Sequence, residues 1–359
     1  MKLLPKISHQ KHLTLINDHE AAASTANLIY VSDSETGIMR TKKGKEFTYI
    51  LEKKIIKDKS ILKRIRQLGI PPAWISVWIC INENGHLQAT GFDVKKRKQY
   101  RYHPSWNLLR NETKFHKMAE LGKAFPALRL QVEKDLALKD LCEKKVIAAV
   151  ISLMERTYIR IGNNSYEKLN GSHGITTLHD KHVQVNGPNI QFCFKGKKGI
   201  YHDISLRHKK LASIIKECRD IPGKELFQYY DENGQRKSID SGMVNNYIKT
   251  ITNEIFTAKD FRTWAGCLHF LLACKKKETK EKETLAKTSV NELLDSVSKQ
   301  LGNTRAVCRK YYVHPAIIRL YEEDKLQIYI KKLDKIEVND NVISLTKEEK
   351  ILMEVLEKV

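Results

Sequence analysis

The sequence lacks the short signatures of nucleotide- and metal-driven chemistry. It has no GxxxxGK[ST] loop, no GxGxxG on a strand-to-helix turn and no paired-carboxylate motif. Nucleotide hydrolysis and two-metal nuclease chemistry therefore have no support in it. It has no CxxC pair either. The seven cysteines, at 80, 142, 193, 218, 267, 274 and 308, form no cluster with histidine at zinc-ligand spacing. They read as buried, reduced thiols, not as a disulfide framework. Neither a metal nor a cofactor is expected. No apolar run approaches the ~18 residues of a membrane span. The opening MKLLPKISHQKH also lacks the apolar stretch of a signal peptide. A cytoplasmic protein with no membrane partner is expected.

What the chain has in excess is positive charge. Among 359 residues, 64 are Lys or Arg against 42 Asp or Glu, a formal net charge of +22. Such an excess implies a polyanionic partner, most often nucleic acid, which would associate the protein with the nucleoid. A solvated lysine surface would give the same count. With 41% hydrophobic and 8% aromatic residues the chain is no disordered basic tail, and its length allows two domains.

The pattern along the chain predicts an α+β protein with a small β-rich domain over 1–104. Two β-like runs in LIYVSDSETGIMRTKKGKEFTYI precede a helix in ILKRIRQLGIPP, and two strands surround an expected hairpin turn at Asn84–Gly85. The stretch GFDVKKRKQYRYHP interleaves Arg97 and Arg101 with Gln99 and Tyr100. Its cations suit phosphates, and the amide and phenol can reach sugars and base edges. A lysine-guarded edge strand is the plainer alternative.

From Pro104 the period becomes helical, and residues 105–330 read as a mainly α-helical domain with a small antiparallel sheet. Two amphipathic segments lead to the helix EKKVIAAVISLMERTYIR, whose last turn delivers Arg160 to the polar loop IGNNSYEKLNGSHG. An arginine there is often a dipole partner, yet Asn163 and Tyr166 follow it closely. HVQV, IQFCF and IYHDISL form the sheet, and Lys197 sits at the tip of its glycine-bracketed KGKKG turn. Such a lysine is usually only solvated, but it could also surrender a proton to a substrate. Arg262 lies beside Lys259 in the first turn of the apolar helix FTAKDFRTWAGCLHFLLAC. An arginine on a buried face is costly without a partner or a ligand anion. KKKETKEKETLAKT reads as a charged spacer, and 331–359 as a C-terminal tail of unknown role.

The last segment of interest is LGNTRAVCRKYYVHP, residues 301–315. Its Gly302 suits a helix C-terminus, and Tyr311 and Tyr312 lie in a strongly basic setting. Free tyrosine is a poor nucleophile, with a pKa of about 10, but cations stabilise both the phenolate and the charge on the group it attacks. Cleaving a phosphodiester without a metal needs donors for the charged transition state, an acid for the leaving oxygen and a nucleophile. Arg160, Arg262, Asn303, Lys197 and a tyrosine form a sufficient set.

That set, carried on TYIRIGNNSY, FKGKKG, AKDFRTWAG and LGNTRAVCRKYYVHP, resembles the short bacterial and poxvirus-like type IB DNA topoisomerases. YVSDSETGIMR, IPPAWISVWIC and HLQATGFDVKKRKQYRYHP resemble the bacterial members, so the resemblance runs from about 28 to 322. It implies that Arg160 and Arg262 stabilise the transition state, that Lys197 is the general acid, and that Asn303 donates to a phosphoryl oxygen. It implies Tyr312, nine residues after Asn303, as the nucleophile, leaving Tyr311 to pack. Tyr166 and Lys259 match supporting positions. The implied protein is a monomer that clamps double-stranded DNA and relaxes supercoils through a 3′-phosphotyrosyl intermediate, without ATP, metal or cofactor. A tyrosine recombinase shares the chemistry but usually has histidine where Lys259 stands. A non-enzymatic basic DNA-binding protein would leave the five spaced residues unexplained.

Overall fold

The computed structural model describes residues 7–44, 46–284, 289–333 and 343–358, apart from the side chains of His9, Tyr166 and 276–284. The chain divides into two compact units, Met1–Lys117 and Met118–Val359.

In the first unit, α1 (His9–Thr14) and α2 (His19–Thr25) start at Ser8 and Asp18, whose side chains accept from backbone N–H groups. Leu15, Ala22, Ala23 and Leu28 form a small core with Trp106 and Leu109. The expected β-rich architecture is an antiparallel six-stranded sheet, ordered β3-β2-β1-β4-β5-β6. Its strands are β1 (Ile38–Lys43), β2 (Glu46–Leu51), β3 (Lys54–Ile55), β4 (Ile75–Ile79), β5 (Leu87–Phe92) and β6 (Lys98–Tyr102). Helix α3 (Lys59–Gln67) is capped by Asp58 and packs Ile65 against Ile38, Val77, Ile79 and Ala89. The expected tight turn at Asn84–Gly85 is instead part of a longer β4–β5 connection. Within it the Gly85 N–H donates to Asn82, and Gly85 bridges in parallel to Ile29. Tertiary pairing overrides the local hairpin signal there.

The two amphipathic segments expected after Pro104 are one 33-residue helix, α4 (Pro104–Leu136), with Pro126 inside it. In the second unit α5 (Glu143–Thr157) is buried from Lys145 to Met154, a core helix and not a one-sided one. Lys145 pairs with Glu217 at 3.0 Å. The polar loop expected after Arg160 contains α6 (Asn164–Asn170). β7 (Val183–Asn186), β8 (Asn189–Lys195) and β9 (Tyr201–Arg207) form the expected three-stranded antiparallel sheet. Then come α7 (Lys209–Arg219), a hairpin of β10 (Gln228–Tyr230) and β11 (Arg236–Ser238), and α8 (Ser241–Thr252). The remaining helices are α9 (Ala258–Thr284), α10 (Val290–Leu301), α11 (Arg305–Tyr311), α12 (Pro315–Glu322), α13 (Gln327–Leu333) and α14 (Lys347–Leu356). Part of the charged spacer, 285–288, lies outside the described residues.

Within the C-terminal tail, α14 buries Ile351, Leu352 and Val355 in the large core of the second unit. Its Glu349 accepts from both Arg129 on α4, at 2.7 Å, and the Trp264 indole on α9, at 3.1 Å. Arg129 also pairs with Glu155 on α5 at 2.7 Å. No helix among the described residues is long and apolar enough to cross a membrane.

Candidate active site

Helix α5 stops because Tyr158 turns left-handed, at φ 55°, which turns the chain toward Arg160. Backbone hydrogen bonds then fix the segment: Ile175 N–H donates to the Arg160 carbonyl and Thr176 N–H to the Ile161 carbonyl, both at 2.8 Å. From this anchored position Arg160 Nη2 donates to Asn303 Oδ1 at 2.5 Å and to the Gly302 carbonyl at 3.2 Å. Gly302 caps α10 at φ 55° as expected. A Cβ there would lie 2.5 Å from the His202 ring, so only glycine allows both the turn and the contact.

Arg262 enters from the first turn of α9, where the Thr257 N–H and hydroxyl both donate to Asp260 at 2.9 Å. It is 5% exposed. Its Nη1 donates to the Tyr158 carbonyl and its Nη2 to the Leu301 carbonyl, the latter at 2.5 Å. The guanidinium thus braces the ends of α5 and α10, the two elements that present Arg160 and Asn303. Its charge centre lies 5.4 Å from the Tyr312 ring centroid. One turn along α9, a Cβ on Gly266 would lie 2.4 Å from the Tyr312 carbonyl oxygen. The bare glycine therefore lets α9 approach the tyrosine's backbone. Tyr312 itself closes α11, its N–H donating to the Cys308 carbonyl at 3.0 Å.

Two buried donors in this cluster have no protein acceptor: Arg262 Nε and Asn303 Nδ2. Buried polar groups are nearly always paired, and two orphaned donors beside a second arginine form a receptor for an oxyanion. The electrostatics agree. Burial, then Arg160, hold the Arg262 pKa down to about 10, and burial lowers Arg160 as well. The Tyr312 side chain hydrogen-bonds both guanidiniums and counters those shifts. Such a cation pair in partial desolvation favours an anion between its members.

Lys197 lies at the β8–β9 hairpin tip, where Gly196 N–H donates to the Ile200 carbonyl at 2.7 Å. The residue as a whole is exposed. Desolvation of its ammonium, followed by the charge of Arg160, lowers its pKa, and Lys198 and Lys259 add to the effect while Tyr312 opposes it. Arg160, Arg262, Asn303 and Tyr312 therefore converge, with Lys197 within electrostatic reach of Arg160 and Tyr312.

His202 joins them and was not expected. It lies on β9 five residues past Lys197, stacked on Phe194 at 4.9 Å between ring centroids. Burial, then the charges of Arg160 and Arg262, lower its pKa. The available signal was the strand's alternation, which places the histidine on the inward face, among the less exposed positions of β9.

The supporting candidates are more scattered. Lys259 is exposed on α9. Asn163 is exposed, and its side chain accepts from Ser165 N–H at 3.0 Å, at the start of α6. The Tyr166 side chain lies outside the described residues. In the first unit, Arg97 pairs with Asp93 at 2.7 Å and Gln99 donates to the same carboxylate at 3.1 Å. Arg101 donates to the Gly69 carbonyl at 2.7 Å. These three are engaged within their own unit, whereas Tyr100 is 47% exposed and stacks with Tyr102. Tyr311 does not pack as expected. It is 38% exposed, with the Lys310 ammonium over its ring, and Tyr312 is the tyrosine that meets the core.

Residues 96–339 match the family described as eukaryotic DNA topoisomerase I, catalytic core. Residues 46–93 match the bacterial DNA topoisomerase IB N-terminal domain. The chain is 33% identical over 300 residues to DNA topoisomerase 1B of Acanthamoeba polyphaga mimivirus, covering 80% of this chain and 88% of that one. To DNA topoisomerase 1B of vaccinia virus (strain Copenhagen) it is 24% identical over 248 residues, 67% of this chain and 74% of that one. Among solved structures it is similar to the XerH site-specific recombinase bound to difH substrate, in a pre-cleavage complex. That likeness covers 57% of this chain and 53% of the other, at 15% identity and a TM-score of 0.34, too slight an overlap to argue from. A family match across two thirds of the sequence, joined to a relative that aligns over most of both chains, decides the matter: the chain belongs to the type IB DNA topoisomerases, enzymes that cleave and rejoin DNA.

Proposed function

We propose that the protein relaxes supercoiled duplex DNA through a covalent 3′-phosphotyrosyl intermediate formed by Tyr312. The observation that carries this is the pair of orphaned buried donors, Arg262 Nε and Asn303 Nδ2, beside Arg160 and the Tyr312 ring. The Tyr312 oxygen attacks a backbone phosphorus and its proton passes to solvent. As the new O–P bond forms, the bond to the 5′ oxygen breaks, and Lys197 protonates that oxygen as it leaves. Arg160, Arg262 and Asn303 donate to the non-bridging oxygens, whose charge grows in the transition state. The released 5′ end rotates about the intact strand, and its hydroxyl then attacks the phosphotyrosine to reseal the break. The phosphotyrosyl bond conserves the energy of the broken diester, so the cycle itself calls for neither ATP nor metal.

His202, packed against Gly302, supports that turn and so the position of Asn303. The protein acts as a monomer in the cytoplasm, associated with the nucleoid, and each unit supplies a DNA-contacting surface. Lys259, Asn163 and Tyr166 serve that contact in the second unit. In the first, Tyr100 takes the leading part, because Arg97, Gln99 and Arg101 must first give up partners within the fold. Purified protein is expected to relax both positive and negative supercoils in EDTA without ATP, and Tyr312→Phe to lower the rate by about four orders of magnitude or more. Unchanged relaxation by that variant would refute the assignment.

A further inference from the structure

The second unit holds a cluster of three imidazoles that DNA cleavage does not use. His173, His179 and His182 each turn a nitrogen toward the others, and these atoms lie within 4.8 Å of one another. The rings are mutually packed, with centroids 4.3 Å apart for His173 and His182 and 4.9 Å apart for His173 and His179. The spacing, H-x5-H-x2-H across two short 3-10 turns, matches no common zinc pattern. For that reason the sequence offered no metal site.

We infer that His173, His179 and His182 form a binding site for a late first-row divalent metal ion of the zinc and cobalt class. The outward-facing nitrogens support this. His173 Nδ1 lies 2.6 Å from the Thr177 carbonyl, which can only accept, so the proton is on Nδ1 and the Nε2 lone pair is left for a metal. His179 Nε2 lies 2.9 Å from the Glu167 carboxylate, which leaves the Nδ1 lone pair. A carbonyl and a carboxylate behind ligand imidazoles are the outer partners that fix tautomer and ring orientation at histidine metal sites. Imidazole ligands suit zinc, copper, nickel and cobalt over calcium or magnesium.

His182 is the ligand that must adjust. Its Nδ1 accepts from the His179 N–H at 3.0 Å, so presenting Nε2 to an ion moves the proton to Nδ1 and costs that amide its acceptor. The rings must also close slightly. Nitrogens at about 2.0–2.1 Å from a tetrahedral ion lie about 3.4 Å apart, less than the present span. The proton shift falls on His182, at the end of a 3-10 turn and only half-buried, while closing the rings moves His173 and the buried His179 beside such turns. Three protein ligands leave a fourth position open to water.

The site adjoins the catalytic framework. The His173 N–H donates to the Lys195 carbonyl at 2.9 Å, at the base of the Lys197 hairpin, and Ile175, two residues on, donates to Arg160. A bound ion would therefore stiffen the segment that holds both. This inference does not depend on the DNA chemistry, and it can be tested without measuring activity.

Untagged, full-length protein stripped of metal would be titrated with Co2+ and followed by its visible d–d absorption. One equivalent is expected to bind. His173→Gln and His179→Gln should each weaken it at least tenfold, and Glu167→Gln by about 10–100-fold. Zn2+ should displace the cobalt. No uptake by the native sequence, uptake unchanged in His179→Gln, or a thiolate-to-cobalt charge-transfer band placing the ion on cysteines would overturn the inference. If a variant fails to fold by circular dichroism, the native protein still decides: its melting temperature should rise with Zn2+ and fall back with EDTA, and a melting temperature indifferent to Zn2+ also overturns it.

Discussion

In the proposed mechanism Lys197 is an exposed side chain with a chemical role. Lysine at a hairpin tip is ordinarily a solvated cation, but this one ends near Arg160, and desolvation together with that charge lowers its pKa below the ordinary 10.5. A general acid must be protonated to act, so a lowered pKa brings its loss of function to lower pH. Single-turnover cleavage is expected to fall as pH rises through a value below 10.5, and Lys197→Ala should be slow and flat across the same range. A native profile still level above pH 10.5 would contradict this role. The motifs pointed to Arg160, Arg262, Asn303 and Tyr312, which the fold brings together, because each motif carries its own spacing. His202 went unnoticed because a single inward histidine on a strand resembles any core residue. The fate of Tyr311 was misjudged because adjacent residues at a helix end differ in exposure only through the packing around them.

Helices α9 and α11 meet without a side chain between them, since Gly266 gives up its Cβ to the Tyr312 carbonyl. Gly266→Ala is expected to leave α9 helical, displace Tyr312 by part of an ångström or more, and reduce cleavage about 100-fold. Circular dichroism and a single-turnover assay would check this, and native-like cleavage would contradict it. The C-terminal helix α14 is tied in by Glu349, which answers Arg129 and Trp264 in the core. Removing one partner of a buried ion pair leaves the other uncompensated. Glu349→Ala should therefore destabilise the second unit by about 3 kcal/mol, read from chemical denaturation. A loss under about 1 kcal/mol, the range of surface pairs, would contradict it. Neither contact was readable in the sequence, because both join residues more than 40 positions apart. Local signals did better: α3, α5 and the three-stranded sheet lie close to where period and turn residues placed them, and α10 ends at Gly302. The single span of α4 and the short α6 were missed for a related reason. Pro126 and the Gly-Asn-rich loop are local helix breakers, overridden here by packing that the sequence does not display.

For the molecule as a whole, the net charge of +22 announced a polyanionic partner, and the family match made that partner DNA. Composition could not show which cations face it. Arg97 and Arg101, two of the candidates in the first unit, are already engaged with Asp93 and Gly69, whereas the buried Arg262 and the half-buried Arg160 are the cations the proposed chemistry uses. The proposed chemistry therefore turns on which atom becomes bonded to DNA. Stopping the reaction on an end-labelled duplex with denaturant, then digesting and sequencing the adduct, identifies that atom. The expected product is a peptide joined through Tyr312 to a 3′ phosphate, with a free 5′ hydroxyl on the other fragment. A 5′ linkage, or attachment through Tyr311, would contradict the account.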